Sequence, residues 1–216
     1  VLFLYPNLHM STLVPNAVSI LTAVLKRDGF ENIELFDTTF YESDDESKDE
    51  NRVRMGQVQP FNFKERGVSL KTTNMYSDFV DKVERFKPNL IAATILEDTY
   101  PIFIRFMGLV ESKNIPTVVG GVFPSTAPEV IAKLPYVHYI CRGEGEGALL
   151  ELCNFLYEGR KPKGIANLWI KEEGKVVERN PIRPALDVNT LPIQDLSIFD
   201  HKSLFRPMTG KVFRMA

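Results

Sequence analysis

The sequence is poor in cysteine: Cys141 and Cys153 are its only two among 216 residues. The first ends an apolar run and the second lies in a helical pattern, so both are predicted to be buried thiols and not a disulfide framework. Two cysteines cannot hold an iron–sulfur cluster alone, since that usually takes about three or four. This scarcity favours a reducing, cytoplasmic location.

The chain also lacks a long apolar run and an excess of positive charge. No stretch reaches the roughly 18 apolar residues that a membrane-spanning helix needs, so no membrane is predicted as a partner. A formal net charge of -2 argues against a nucleic-acid binder, which would present a basic face. What is present is an ordinary globular composition, with 44% hydrophobic and 25% charged residues.

Short apolar runs alternate with longer segments of helical period. Strands are predicted at 1–5, 32–37, 89–96, 115–121 and 137–143, and helices at 14–30, 75–87, 99–114, 127–134 and 144–159. Strands that alternate with helices form parallel sheets with helices on both faces. The pattern therefore predicts an α/β fold, a doubly wound five-stranded parallel sheet that is flavodoxin-like or Rossmann-like, in the order 2-1-3-4-5.

Two regions fall outside this repeat. Residues 41–74 form an insertion whose acidic first half is predicted to be mobile and whose second half is apolar enough to dock locally; a surface loop and a lid or partner contact are both open. After a predicted β-hairpin at 165–180, residues 181–200 read as an extended linker, poorly determined when free-standing. We therefore assign residues 1–160 to one domain and 161–216 to a hairpin and linker. The abrupt ends predict a fragment of a longer protein.

Two glycine-rich loops mark the edge where such a sheet binds ligands, the carboxyl ends of its strands. "VVGGVFPSTAPEV" (118–130) follows the fourth strand and "CRGEGEGALLEL" (141–152) the fifth. Neither is a Rossmann phosphate fingerprint or a P-loop. The acids Glu144 and Glu146 suit the first turn of a helix, and no nucleophile accompanies them. A glycine-rich, mostly uncharged edge suits a large, partly apolar ligand: a flavin, a nucleotide or a corrinoid.

Several motifs, in this order, resemble a known family. "LYPNLHMSTLVPNAVSILTAVLKRDGFENIELFDTT", "GGVFPSTAPEVI", "VHYICRGEGEGALLEL" and the Asp-x-x-x-Leu-Pro segment of "VERNPIRPALDVNTLPIQDLSIFD" are similar to the N-terminal cobalamin-binding domain of cobalamin-dependent radical S-adenosylmethionine enzymes. The chain departs from the family at Phe123, where histidine is common, and at Asn7, which replaces a proline. Relative to the Asp-x-His-x-x-Gly motif of other cobalamin domains, His9 is kept while Asn7 and Thr12 replace its aspartate and glycine.

The resemblance implies cobalamin as the cofactor and assigns roles to the loops. The predicted cofactor-binding residues face the corrin ring, line the slot for the nucleotide tail, or complete its rim; they are Asn7, His9, Thr12, Thr94, Leu96, Glu97, Gly120, Gly121, Val122, Phe123, Pro124, Gly143, Glu144 and Gly145. Phe123 is expected to pack on the base of the tail. His9 is also the candidate axial ligand of cobalt. A Gly121→Val substitution is expected to block the slot and leave the fold intact.

The implied chemistry is radical methyl transfer with methylcobalamin as the methyl donor. The Cys-x-x-x-Cys-x-x-Cys motif that binds a 4Fe–4S cluster and S-adenosylmethionine in the family is not in these residues, so the chain is expected to be a binding module without catalytic residues. Its implied partners are cobalamin and a C-terminal radical domain of the same polypeptide. Two alternatives stay open on the residues: a flavodoxin-like domain that binds a flavin or nucleotide, and an interaction domain without a ligand.

Overall fold

The computed structural model describes residues 1–8, 15–42, 48–57, 59–60 and 62–214. Its centre is a seven-stranded sheet in the order β2-β1-β3-β4-β5-β6-β7. The first five strands are parallel, and the last two pair antiparallel. The strands are β1 (Leu2–Tyr5), β2 (Glu34–Asp37), β3 (Ile91–Thr94), β4 (Thr117–Gly120), β5 (Tyr139–Cys141), β6 (Leu168–Glu172) and β7 (Lys175–Arg179).

Seven α-helices connect these strands in the described part of the chain. They are α1 (Asn16–Arg27), α2 (Lys48–Arg54), α3 (Met75–Phe86), α4 (Tyr100–Val110), α5 (Val122–Thr126), α6 (Pro128–Ala132) and α7 (Glu146–Tyr157). Their ends follow local chemistry: Asn74 accepts two backbone N–H bonds as the N-cap of α3, and Lys26 and Arg27 lie in the last turn of α1. None of the described helices combines the length and the apolar character that crossing a membrane requires.

The five-stranded sheet predicted from the sequence is incomplete. The first five strands keep the order 2-1-3-4-5, but the predicted hairpin adds β6 and β7 to the edge at β5. The physical reason lies in β6, whose Leu168, Trp169 and Ile170 are all buried. A strand that is apolar on both faces must be covered on both, and its pairing removes the exposed edge of β5. The predicted domain boundary at residue 160 therefore falls within one sheet.

Successive strand residues point to opposite faces, and each face has its own core. On one face, Leu4, Ala93 and Val119 pack with the aromatic side chains of α3 and α4. On the other face, Phe3 and the smaller strand residues Ala92, Val118 and Cys141 pack against α1 and α7. On this second face, β3 and β4 end in residues with small side chains, Thr94 and Gly120.

The insertion is partly docked. Tyr41 is 3% exposed and donates its hydroxyl hydrogen bond to Asp78 Oδ2 at 2.8 Å, and Val68 is also buried. Nε of Arg66 donates to the carbonyl of Val212 at 2.9 Å. In the second half of the insertion, Val68 and Arg66 thus contact the rest of the chain, while residues 43–47 of the acidic half lie outside the described residues.

A second, two-stranded sheet near the end of the chain was not predicted. It consists of β8 (Phe205–Met208) and β9 (Lys211–Arg214). Thr209 and Gly210 connect these strands at φ angles of 51° and 74°. Two residues at positive φ are the signature of the tight turn that joins hairpin strands, and the Thr-Gly pair was the available signal.

Residues 181–200, which we call the strap, are docked and are not a free-standing linker. The strap crosses α1, where Asp195 N donates to the Ser19 carbonyl at 3.1 Å and Lys26 Nζ lies 2.5 Å from Asp195 Oδ2. Phe199 then enters the core beneath α1 and α7. The expectation of a free-standing linker does not hold, because Asp195 and Phe199 anchor the strap on the domain, although Val188 and Ile193 remain exposed.

Candidate functional site

A cleft of about 180 Å³ opens between α1 and α7 at the carboxyl edge of the sheet. This is the edge at which parallel α/β sheets bind ligands. We call this space the cleft. It is lined by Phe3, Ala17, Val18, Leu21, Ala92, Ala93, Thr94, Val118, Gly120, Gly121, Cys141, Gly143, Glu144, Gly145, Glu146 and Leu149.

The cleft exists because its floor is built from small residues. Ala92, Val118 and Gly120 share one face of neighbouring strands, since residues two apart in a strand point the same way. A Cβ built on Gly120 would lie 3.5 Å from Cys141 Cβ, which is ordinary van der Waals contact. Leu21 of α1 and Leu149 of α7 form the apolar walls. The site therefore suits a flat, largely apolar group more than a small anion.

Gly121 shapes the turn that leaves β4. Its φ is 112°, and a Cβ at this position would lie 2.6 Å from the Ile95 carbonyl oxygen. A side chain would meet backbone there, and backbone cannot rotate away as a flexible side chain can. The expectation that Gly121→Val leaves the fold intact is therefore wrong. Of the two neighbouring glycines, Gly120 is the one that can accept a side chain, because an added Cβ there makes only an ordinary contact.

Ser125 ties the two glycine-rich loops together. Its hydroxyl donates to the Gly121 carbonyl at 2.8 Å and accepts a hydrogen bond from Gly143 N at 3.0 Å. One side chain thus sets the spacing between the loop after β4 and the loop after β5. Ser125 was not among the predicted site residues, although it stands in the Pro-Ser-Thr cluster quoted above.

Asn167 fixes the loop after β5 from the opposite side. It is 1% exposed, and its Nδ2 donates to the Glu144 carbonyl at 2.6 Å while its Oδ1 accepts from Arg183 N at 2.7 Å. The Glu144 carboxylate in turn accepts from Leu186 N at 3.0 Å. Glu144 therefore holds the strap in place, and its carboxylate is committed to the protein.

We expect Asn167→Ala to lower the free energy of unfolding by roughly 3 kcal/mol, since it removes two buried hydrogen bonds and leaves alanine at a φ of 73°. Asn167→Gly removes the same bonds without the backbone penalty and should cost about 1–2 kcal/mol less. Chemical denaturation of both variants checks this. Equal losses of unfolding free energy in the two variants would show that the positive φ of Asn167 adds no cost for alanine.

Cys141 and Glu146 are two of the polar side chains that line the cleft. Burial raises the pKa of the Cys141 thiol to about 12, and the negative charge of Glu146 adds to this shift. Cys141 is therefore a neutral thiol with its sulfur 3.9 Å from the Glu144 carbonyl. Glu146 Oε2 is buried and has no hydrogen-bond partner among the described residues.

The structure brings six predicted site residues together in the cleft: Thr94, Gly120, Gly121, Gly143, Glu144 and Gly145. Leu96 and Val122 lie outside it, 45% and 64% exposed, in the loops after β3 and β4, and Glu97 is exposed beside Leu96. His9 and Thr12 lie outside the described residues. The predicted residues that line the cleft are thus a strand-end threonine, four glycines and Glu144, and their role in cofactor binding stays a prediction.

Three predicted residues have their contacts elsewhere. Asn7 is buried, and its Nδ2 donates to Thr39 Oγ1 at 2.9 Å. Phe123 packs edge-on against Tyr100, with ring centroids 5.1 Å apart, and Pro124 is buried. Because α5 begins at Val122, consecutive side chains turn by about 100°, which directs Phe123 away from the solvent that Val122 faces. None of the three lines the cleft.

Several lining residues were missed by sequence reasoning. The walls come from Ala17, Val18, Leu21 and Leu149, which helical periodicity marks only as core positions. Ala92 and Val118 likewise read as ordinary strand residues. The sequence signal that could have found them is residue size, since small residues recur on the cleft face of β3 and β4. Glu146 was noted only as a first-turn acid.

The comparisons with known proteins agree with this geometry. Residues 61–153 match the family model of the B12 binding domain. Solved structures that share the fold include proteins with bound cobalamin. The predicted resemblance to a cobalamin-binding domain is therefore confirmed by the family model, and the solved enzymes described next share its fold.

Two solved structures illustrate the shared fold. The cobalamin-dependent S-adenosylmethionine radical enzyme OxsB, with aqua-cobalamin and S-adenosylmethionine bound, aligns with a TM-score of 0.65 and 18% identity over 91% of this chain and 24% of its own. The radical S-adenosylmethionine methyltransferase TsrM from Kitasatospora setae, with cobalamin and a 4Fe–4S cluster bound, aligns with a TM-score of 0.57 and 23% identity over 88% of this chain and 30% of its own.

Two curated relatives match in sequence. The uncharacterized methyltransferase PH0819 of Pyrococcus horikoshii is 32% identical over 124 residues, 55% of this chain and 26% of the relative. The anaerobic magnesium-protoporphyrin IX monomethyl ester cyclase of Rubrivivax gelatinosus is 28% identical over 156 residues, 67% of this chain and 28% of the relative. The chain thus spans about a quarter of the length of these relatives.

Proposed function

We propose that this chain binds cobalamin, with the nucleotide tail inserted in the cleft between α1 and α7. The observation that carries the proposal is the position of the cleft: it lies at the carboxyl edge of the sheet and unites the two glycine-rich loops on which the family resemblance rests. The match of residues 61–153 to the B12 binding domain supports it. TsrM and OxsB are solved with cobalamin and aqua-cobalamin bound.

The residues present fit such a ligand. The floor of Ala92, Val118 and Gly120 is flat and lacks large side chains, and the walls are aliphatic. An aromatic base that enters this space exchanges water for apolar contact on both of its faces, at about 25 cal/mol per Å² of apolar area buried. Thr94 and Gly143, at the ends of the loops, offer polar groups near the mouth.

The exposed residues beside the mouth suit the corrin ring. Leu96 and Val122 are large apolar side chains left exposed at the same edge of the sheet. Exposed aliphatic residues next to a cleft are typical of a surface that a ligand covers. In this proposal the ring lies across the edge and shields both side chains while its tail enters the cleft.

We further propose that the chain is the N-terminal module of a cytoplasmic radical S-adenosylmethionine enzyme, a methyltransferase in the first instance. A C-terminal radical domain of the same polypeptide would hold the 4Fe–4S cluster and S-adenosylmethionine. Bound cobalamin would supply methyl-transfer chemistry there. This chain's residues would bind and orient the cofactor and carry no catalytic group, in keeping with the neutral thiol of Cys141 and the carboxylate of Glu144 bound to the strap.

Incubation with hydroxocobalamin followed by desalting tests the binding directly. We expect the chain to retain about one equivalent of corrinoid and to show its visible spectrum. The same spectra test His9, the candidate axial ligand: if it coordinates cobalt, His9→Ala changes the absorption bands while corrinoid is still retained. Identical spectra for both proteins would remove His9 as a ligand and leave it as a contact of the loop after β1.

The alternatives give different results in the same experiment. A flavodoxin-like flavin binder would retain flavin, and not corrinoid, and would show a flavin spectrum. A folded protein that retains neither would be an interaction domain, and the proposed function would be rejected.

A further inference from the structure

Glu146 differs from its neighbour Glu144 in that its carboxylate is not used by the protein. Glu144 accepts a hydrogen bond from the backbone of Leu186. Glu146 Oε2 is buried and has no partner among the described residues, yet Glu146 lines the cleft. A buried carboxylate oxygen without a donor is costly, so its presence in a ligand cleft indicates that a donor arrives with the ligand.

None of the described groups around the cleft donates a hydrogen bond to that oxygen. The Cys141 thiol faces the Glu144 carbonyl, 3.9 Å away. Arg183, whose charge also reaches Cys141, directs its Nη2 to Glu151 Oε1 at 3.0 Å and to the Ala166 carbonyl at 3.2 Å, and its buried Nε makes no hydrogen bond to any described residue, Glu146 included. Among the other lining residues, Thr94 carries a hydroxyl and Phe3 is aromatic, while Ala17, Val18, Leu21 and Leu149 are aliphatic.

We propose that Glu146 is a specificity-determining residue of the cleft, and that it accepts a hydrogen bond from a hydroxyl or amine on the inserted nucleotide tail. The inference rests on the proposed function, because it assumes that a corrinoid tail enters this space. The ribose of the tail carries a hydroxyl donor, and some lower bases, such as adenine, carry an amine. Both present the same chemistry to a carboxylate, a charge-assisted hydrogen bond.

The substitution Glu146→Met tests this because the two possibilities predict effects of opposite sign. Methionine is similar in length, suits a helix and cannot accept a comparable hydrogen bond. If the tail donates to Glu146, Glu146→Met weakens cobalamin binding about tenfold or more. If the tail brings no donor, the variant binds cobalamin more tightly, since it no longer buries an unpaired carboxylate when water leaves the cleft.

Three probes locate the donor by titration followed at visible wavelengths: cobalamin, a cobamide with adenine as its lower base, and cobinamide, which lacks the nucleotide. A loss with both tailed corrinoids assigns the donor to the ribose hydroxyl, and a loss with the adenine cobamide alone assigns it to the base amine. Cobinamide affinity should stay within about twofold, because nothing then reaches Glu146. Glu146→Gln keeps an acceptor oxygen and should show a smaller loss than Glu146→Met.

Glu129→Met is the matched control. Glu129 also lies in the first turn of a helix, α6, but it is exposed and does not line the cleft. Its substitution should leave all three affinities unchanged. Tailed-corrinoid affinity that is unchanged or increased in Glu146→Met would overturn this inference while wild-type binding still supports the proposed function. Failure of the wild-type chain to bind any corrinoid would instead reject the proposed function itself.

Discussion

Gly121→Val is expected to destabilise the protein by roughly 3–5 kcal/mol. Two costs combine at this position: valine is strained at a φ of 112°, and its Cβ would lie 2.6 Å from the Ile95 carbonyl oxygen. Stabilities of small domains are about 5–15 kcal/mol, so the variant should be marginally folded. Thermal and urea unfolding measure the loss, and the near-ultraviolet circular dichroism reports whether tertiary packing survives.

Gly108→Ala is the control for this prediction. Gly108 is an exposed residue of α4, and a Cβ there would meet nothing within 4 Å. Alanine should raise stability by about 0.5–1 kcal/mol, since glycine costs about that much inside a helix. A Gly121→Val protein as stable as the wild type would show that the turn after β4 can move away from Ile95.

Gly120→Val is expected to reduce corrinoid affinity by about a hundredfold or more while the protein stays folded. Gly120 is the last residue of β4, its backbone is not at positive φ, and an added Cβ meets only Cys141 at 3.5 Å. Valine is well suited to a strand, so stability should change by less than about 1 kcal/mol. Its methyl groups would occupy the floor of the cleft, where the proposed nucleotide tail lies. A hundredfold loss of affinity corresponds to about 2.8 kcal/mol of binding free energy.

The measurement is a titration of each variant with hydroxocobalamin after its stability has been determined. Cobinamide, which has no tail, should bind Gly120→Val nearly as well as it binds the wild type. Gly108→Ala should bind both corrinoids like the wild type, because α4 packs on the other face of the sheet. Unchanged cobalamin affinity in a folded Gly120→Val protein would place the tail outside the cleft.

Which residues build the cleft depends on how separate loops are brought together. The motif that contains Glu144 and Glu146 predicts two acids at the start of a helix and does not distinguish them. In the folded chain, Glu144 binds the strap through Leu186, which lies 42 residues away in the sequence, and Glu146 is left in the cleft. That assignment needs a contact between distant segments, which a local pattern does not contain.

The orientation of the Phe123 side chain also could not be predicted from its local motif. Its place in the glycine-rich motif suggested packing on a ligand. The start of α5 at Val122 instead turns its ring toward Tyr100. A shift of one residue in the start of a helix rotates a side chain by about 100°, and helix boundaries are the least certain part of any prediction from sequence.

Local pattern alone established the alternation of strands and helices and the glycine-rich edge, because each depends on periodicity or on residues that lie side by side in the chain. The order of the first five strands was expected from the usual topology of doubly wound parallel sheets. Tertiary structure decided the rest. The attachment of β6 and β7 to β5, the docking of the strap on α1, and the closeness of Ile95 to Gly121 all join residues far apart in sequence. Their physical reason is burial and hydrogen-bond pairing between segments, which exist only once the chain has folded.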